Sequence, residues 1–348
     1  MTRLKIGPVD TIVFFSGAVP WVIRAIRESV RLGLKTHVFA STRHLADIAD
    51  IDRTQTFRDL LEEERISFYH TDDINSSSDL DGVVSERTMG IGIGETYVFS
   101  PATIRKFGGR LLDFMTIRLP QYRGGAHFTW QILRQSRIGC WNIELIDEKM
   151  VPGVCDSGKI LRTHEYLVPS WAKTPKDYAA VADGEALLLY EGFLRDVQAG
   201  REFEIREIQE DFSLFLPRLS TNHHGWIDWS WSALELDRFI SAFDDPYPGA
   251  STMISGKRVH LKGAHADLSE GAFHPFMAGL IYRIAPSGVF VAVRDGALIV
   301  ERVLDEQGRN SLDRVKVGSR FQTPMKHLEE ARMFDAEYDA QGLLSKNK

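Results

Sequence analysis

Apolar residues in the first two hundred positions fall into short runs separated by segments of helical spacing. Thr11-Ile-Val-Phe-Phe-Ser16 is an apolar run ending at Gly17 and reads as a buried strand. Trp21 to Leu32 has the spacing of a helix, and Thr36 to Ala40 reads as a second strand. Phe57 onward is helical again, Ile66 to Tyr69 is strand-like, and the polar stretch Asp72 to Asp81 reads as a loop. Met89-Gly-Ile-Gly-Ile-Gly94 alternates apolar residues with glycine, the mark of a strand whose backbone can be closely approached. Ile138 to Ile146 and Ile160 to Val168 read as later strands, and Lys176 to Val197 as a long helix. Strands alternating with helices predict an α/β fold with a parallel, Rossmann-like sheet.

The pattern then changes. Asp211 to His224 has no periodicity and reads as a linker. A helical stretch from Leu234 to Phe243 follows. Beyond it, short apolar runs between turn residues (251–254, 258–261, 280–284, 288–293, 297–300) predict a small β barrel. The expected organisation is a first domain over 1–210, a linker over 211–224, a barrel domain over 225–320 and a tail over 321–348.

Composition narrows the partners. A net charge of −6 and a pI near 6.0 give no global attraction for nucleic acid or an anionic membrane. From Pro217 onward 16 Lys and Arg stand against 17 Asp and Glu, so no basic stripe for RNA is expected there. No apolar run approaches the ~20 residues of a membrane span, and the first residues lack the apolar core of a signal peptide. Cys140 and Cys155 are the two cysteines, too few for a disulfide framework or a zinc cluster. No metal is expected, and a cytoplasmic location is the simplest reading.

The densest chemistry lies between Leu111 and Leu133. An apolar run at Leu111 and Leu112 leads to Asp113 and Met115, then Pro120, Arg123, Gly124 and Gly125, then His127 at the start of a helical segment. A strand, a tight loop and a helix place side chains at the carboxyl edge of a parallel sheet, where ligands bind. Further on stands Cys155-Asp156-Ser-Gly-Lys-Ile160. These words resemble the folate-dependent formyltransferase family, which includes methionyl-tRNA formyltransferases and sugar-nucleotide N-formyltransferases. In that family the stretch reads Asn-x-His, Leu-Pro, Arg-Gly and, later, Asp-x-Gly-x-Ile. Asp228-Trp, Asp245-Pro-Tyr-Pro-Gly-Ala250 and Asp295-Gly-Ala-Leu298 extend the likeness into the second half. The resemblance implies a Rossmann-like formyltransferase domain followed by an OB-like barrel, a 10-formyltetrahydrofolate donor, and a primary amine as acceptor.

The resemblance puts Asp113 at the family's catalytic Asn, Met115 at its His and Asp156 at its Asp. An ionised carboxylate cannot donate a hydrogen bond to a developing oxyanion, and a thioether cannot carry a proton. Asp113 and Asp156 sharing one proton would supply an acid and a base; Asp113 without a catalytic purpose is the other reading. His127 is the candidate that replaces the missing His, against the reading of a surface His at a helix start. The resemblance assigns Met89, Gly90, Ile91, Gly92, Ile93, Gly94 and Tyr97 to the strand and loop that bind the pterin through backbone groups. It assigns Pro120, Arg123, Gly124 and Gly125 to the loop that shapes the site.

Three readings stay open from the sequence: a formyltransferase acting on a nucleotide-linked amino sugar, a homologue of impaired catalysis that binds a ligand or partner, and a methionyl-tRNA formyltransferase. The neutral second half favours the small-molecule acceptor over tRNA. The resemblance also raises a homodimer.

Overall fold

The first half builds a seven-stranded sheet. The computed structural model describes residues 2–47, 55–94, 97–148, 158–339 and 342–344. Its strands and main helices are β1 (Thr11–Ser16), α1 (Pro20–Arg31), β2 (Lys35–Ala40), β3 (Phe68–His70), β4 (Thr88–Ile93), β5 (Leu111–Met115), α2 (His127–Leu133), β6 (Ile138–Leu145), β7 (Lys159–Leu167) and α3 (Pro175–Gln198). The strand order is β3-β2-β1-β4-β5-β6-β7, with β1 to β5 parallel and β6 antiparallel to both neighbours. Every residue of β1 and of β4 is buried, as expected for strands covered on both faces.

One face carries α1 and α3. Trp21 of α1, Phe114 of β5, Trp141 of β6 and Tyr190 and Phe193 of α3 share a single apolar cluster there. The other face is a smaller cluster of Val13, Phe15, Phe39, Phe107 and Leu111. The expected α/β fold with a mostly parallel sheet is present; one detail of it is refined and one other expectation is corrected. The sheet is mixed at one side, because α2 does not cross the sheet face and instead packs its Ile132 with the residues of the second half. The polar stretch 72–81 is not an irregular loop. It holds a 3₁₀ turn (Ile74–Ser76) and a short helix (Ser78–Val83), and its polar side chains are the caps, Asp73 accepting from the Asn75 N–H and Ser77 from the Leu80 N–H.

The second half contains α4 (Ala233–Ala242) packed on an antiparallel sheet of β8 (Ala250–Ile254), β9 (Lys257–Asp267), β10 (Ile281–Ala285), β11 (Gly288–Val293) and β12 (Gly296–Leu304), in the order β8-β9-β12-β11-β10. The stretch 318–322 then bonds to both open edges. Gln322 exchanges N–H···O bonds of 2.9 and 3.0 Å with Met253 of β8, while Phe321 N–H reaches the Gly279 carbonyl at 2.9 Å and Ile281 N–H the Ser319 carbonyl at 2.8 Å. Phe321, 1% exposed, stacks on Trp229 at 5.7 Å and 7°. The boundary expected at 320 therefore falls inside a strand-like segment that joins the two sheet edges. A last helix, α5 (Met325–Met333), follows it.

Removing the Phe321 ring opens a cavity where the two sheet edges are joined. Phe321→Ala is expected to lower unfolding stability by about 3–5 kcal/mol in a urea titration.

Candidate active site

β1 feeds β2 on one side of the sheet, whereas β4 feeds β5 on the other. The chain thus diverges where β1 and β4 lie side by side, and a crevice opens beyond their carboxyl ends. A cavity of about 1100 Å³ sits there. Val19 and Arg24 reach it from α1 and the turn before it, Gly94 from the end of β4, and Asp113 and Met115 from β5. Gly124, Phe128 and Arg218 close a second side, and Lys176 and Asp183 of α3 a third.

The register of β5 with β6 sets what Asp113 and Met115 see. Asp113 lies opposite Glu144, and Met115 opposite Asn142. Residues directly opposite share a sheet face, so two carboxyls and a thioether–amide pair line up together. Asn142 is fixed: its amide donates to the Ile117 carbonyl at 2.6 Å and accepts from the Thr163 hydroxyl at 2.7 Å. Glu144 is fully buried and accepts from the Gly158 N–H. Met115 is 8% exposed. Asp156 and Cys155 lie outside the described residues, so the expected Asp113–Asp156 pair has no structural account here.

The glycine-rich strand is more restricted than its sequence suggests. The β4 ladder pairs Met89, Gly90, Ile91, Gly92 and Ile93 with β1, and Gly90 to Gly92 also with β5. Backbone groups already in these ladders are not available to a ligand, and Ile93 and Gly94, at the strand end, are the members of the run that line the cavity. Gly90 answers to packing instead, since a Cβ there would sit 2.6 Å from a Leu111 methyl. Tyr97 lies away from the lining. It packs edge-on against Phe15 at 6.2 Å and donates to the Thr71 carbonyl at 2.7 Å.

The loop from Pro120 to Gly125 is held by the stretch read as a linker. Leu214 N–H donates to the Pro120 carbonyl (3.1 Å), Arg123 N–H to the Leu214 carbonyl (3.0 Å) and Gly125 N–H to the Leu216 carbonyl (3.0 Å). Arg123 and Gly124 pair in parallel with Phe215 and Leu216. Gly124 has φ +102°, and a Cβ there would lie 2.1 Å from the Leu216 carbonyl oxygen. A Cβ on Gly125 would lie 3.1 Å from Arg218 Cα. Arg123 is buried, in keeping with a structural part.

His127 begins α2 but does not line the cavity. It packs between Tyr122 (5.9 Å) and Phe128 (5.2 Å), and neither ring nitrogen has a hydrogen-bond partner among the described residues. Burial pulls its pKa down to about 3. The imidazole is therefore held in its neutral form near pH 7, with burial as the cause.

Two groups on this site were missed from sequence. Glu144 is invisible in an apolar β pattern until the register is known. Asp183 sits in Ala179-Ala-Val-Ala-Asp183, a carboxyl among small apolar residues of a helix, which is a signal that could have been read. Burial pushes the Asp183 carboxyl up to about 7, with Arg24 opposing the shift.

Residues 220–314 match the formyl transferase C-terminal domain family. The chain is 28% identical over 191 residues to the methionyl-tRNA formyltransferase of Desulfotalea psychrophila, covering 54% of each chain. It thus spans about half the length of that curated relative. Its fold is similar to the N-formyltransferase from Helicobacter canadensis, solved with folinic acid and dTDP-3-aminofucose (TM-score 0.62, 12% identity, 85% of this chain and 100% of that one). It is also similar to WlaRD, a sugar 3N-formyl transferase solved with dTDP and 5-N-formyl-THF (TM-score 0.61, 13% identity, 84% and 97%).

Two predictions follow from the loop and its neighbour. Gly124→Ala forces a side chain against Leu216 and a left-handed backbone, and should cost on the order of 1–3 kcal/mol in thermal or urea unfolding. The second concerns acid. Above pH 6.5 His127 is neutral both folded and unfolded. Between 6.5 and about 3 the unfolded chain alone binds the proton, so this histidine's contribution lowers stability as pH falls. His127→Phe should remove up to about 1.4 kcal/mol per pH unit from that acid slope, read from urea midpoints at pH 8, 6 and 4.

Proposed function

The chain belongs to a formyltransferase family, and on that premise we propose that it moves a formyl group from a formyl-folate donor to a primary amine, most specifically that of a nucleotide-linked amino sugar. The observation that carries this reading is a cavity at the sheet's switch point that Gly94, Asp113, Met115 and Gly124 line together.

The residues present suit a folate. The cavity matches the size of ordinary cofactor sites, and its walls include the apolar Val19, Ile93, Ile117 and Phe128. Gly94 and Gly124, both at positive φ, keep two points of the wall free of side chains. Gly94 would hold the ring through its backbone just past the end of β4, with Ile93 and Phe128 packing beside it. When bound, the donor supplies an electrophilic formyl carbon. The chain's own part is to seat the amine against it, exclude water and move one proton. Asp113 supplies a carboxyl beside that centre. Met115 lines the space but carries no proton. Asp156 is the third member of the motif.

Two acceptors remain in view. Curated relatives are named for methionyl-tRNA, which favours the RNA reading; the solved sugar N-formyltransferases that share the fold favour the sugar. The balance of 16 basic against 17 acidic residues from Pro217 onward weighs against a phosphate-tracking surface. An OB-like second domain fits this reading, and no helix among the described residues is long and apolar enough to cross a membrane.

Calorimetric titration with 5-formyltetrahydrofolate is expected to give micromolar binding. Formyl transfer to a panel of dTDP-linked amino sugars should exceed transfer to methionyl-tRNA, and Asp156→Ala should reduce it by roughly 10²–10⁴-fold. A folded protein that binds no folate would contradict the reading.

A further inference from the structure

The third wall of the cavity belongs to α3, and the strand motif does not touch it. Along this helix Lys176, Ala179, Ala180 and Asp183 recur at helical spacing and face the cavity. The alanines are short and leave room above the two charged positions. Two carboxyls lie on this wall, and they differ. Asp177 closes the helix start, accepting from the Lys173 and Thr174 N–H groups at 2.9 Å each. Asp183 makes no hydrogen bond and no ion pair with any described residue. The fold does not require its carboxyl, yet holds it largely out of water.

Resting on the formyl-transfer reading above, we propose that Asp183 is the group that takes the proton of the incoming amine, the duty that Met115 cannot perform. Its surroundings suit that work. Arg24 of α1 is the cation that opposes its burial. Lys176 and Asp177 of its own helix, Asp113 of β5 and Arg218 beyond the site loop are the other charged groups on the same cavity. Tyr166 of β7 feels its charge from the far side, together with Glu185. Because burial raises the carboxyl to about 7, it exists in both protonation states near neutral pH, as a group that must accept and then return a proton should.

The step balances without an oxidant or reductant. As the acceptor nitrogen bonds to the formyl carbon, Asp183 accepts the proton that this nitrogen loses. The bond from the formyl carbon to the donor nitrogen breaks, and Asp183 hands the proton to the departing nitrogen. One N–CHO bond is exchanged for another and one proton crosses the cavity.

The test uses the full chain and Asp183→Asn, with Asp183→Glu as the conservative variant. In infrared difference titration of the ligand-free protein, a protonated-carboxyl C=O band should titrate with a midpoint near 7 and be missing from Asp183→Asn. Linkage gives a second readout without substrate. The folded state holds this proton between pH 3.8 and about 7 while the unfolded chain has lost it, so the Asp183 contribution is opposite in sign to that of His127, and the wild type should lose stability relative to Asp183→Asn as pH rises across that window. In formyl transfer, kcat/KM of the wild type should show a limb near pH 7. Asp183→Asn should lose the limb and roughly 10²–10⁴-fold in rate, with 5-formyltetrahydrofolate affinity unchanged, and Asp183→Glu should recover part of the rate. Transfer by Asp183→Asn at the wild-type rate with the limb intact would overturn this assignment and leave the formyltransferase reading standing. A wild type that neither binds the folate nor transfers formyl would instead bring down that reading, and the proposal with it.

Discussion

The contact on which the site depends is the short parallel pairing of Arg123 and Gly124 with Phe215 and Leu216. It is two residues long, but it ties the loop that follows β5 to the chain just before the second half begins. The loop then enters α2, which packs against the α4 layer: the Thr129 hydroxyl donates to the Ala242 carbonyl at 3.1 Å. Through Gly124, Phe128 and Arg218 the same stretch supplies one side of the cavity. The approach is close enough that only a glycine fits at 124. One steric constraint thus sets the distance between the sheet edge, where chemistry is expected, and the half of the molecule that closes over it.

The chemistry implied by this frame is redistributed rather than missing. Position 115, a proton carrier in the family pattern, is here a buried methionine across from a fully bonded Asn142. That pair is rigid and proton-inert. Carboxyls have collected instead: Asp113 opposite Glu144 on the sheet, and Asp183 on the helix wall. His127, the neighbour that sequence offered as a substitute base, packs between Tyr122 and Phe128 and does not line the cavity. Under the proposed reading such a cavity would move protons through carboxyls whose environment sets their ionisation, a familiar route when no imidazole is at hand.

The fold was readable wherever side-chain periodicity reports burial. β1 was read at Thr11 to Ser16 and occupies Thr11–Ser16; α3 was read at Lys176 to Val197 and occupies Pro175–Gln198. Legibility failed where the deciding information is a long-range partner. The direction of β6 depends on where α2 docks, and 211–224 looked featureless because its order comes from bonds to Pro120, Arg123 and Gly125. The strand-like role of 318–322 is likewise invisible without the two edges it joins. In the site, motif spacing brought Asp113, Met115 and Gly124 to one cavity. It could not reveal that most of the Met89–Gly94 backbone is already paired, nor that a residue seventy positions beyond Asp113 faces the same space.

The most direct test is a crystal structure of the protein with 5-formyltetrahydrofolate. The account predicts the pterin against Ile93 and Gly94, and the formyl group in the space bounded by Asp113, Met115 and Asp183. A folate bound outside the switch-point cavity, or inside it with its formyl group turned away from all three residues, would contradict the account.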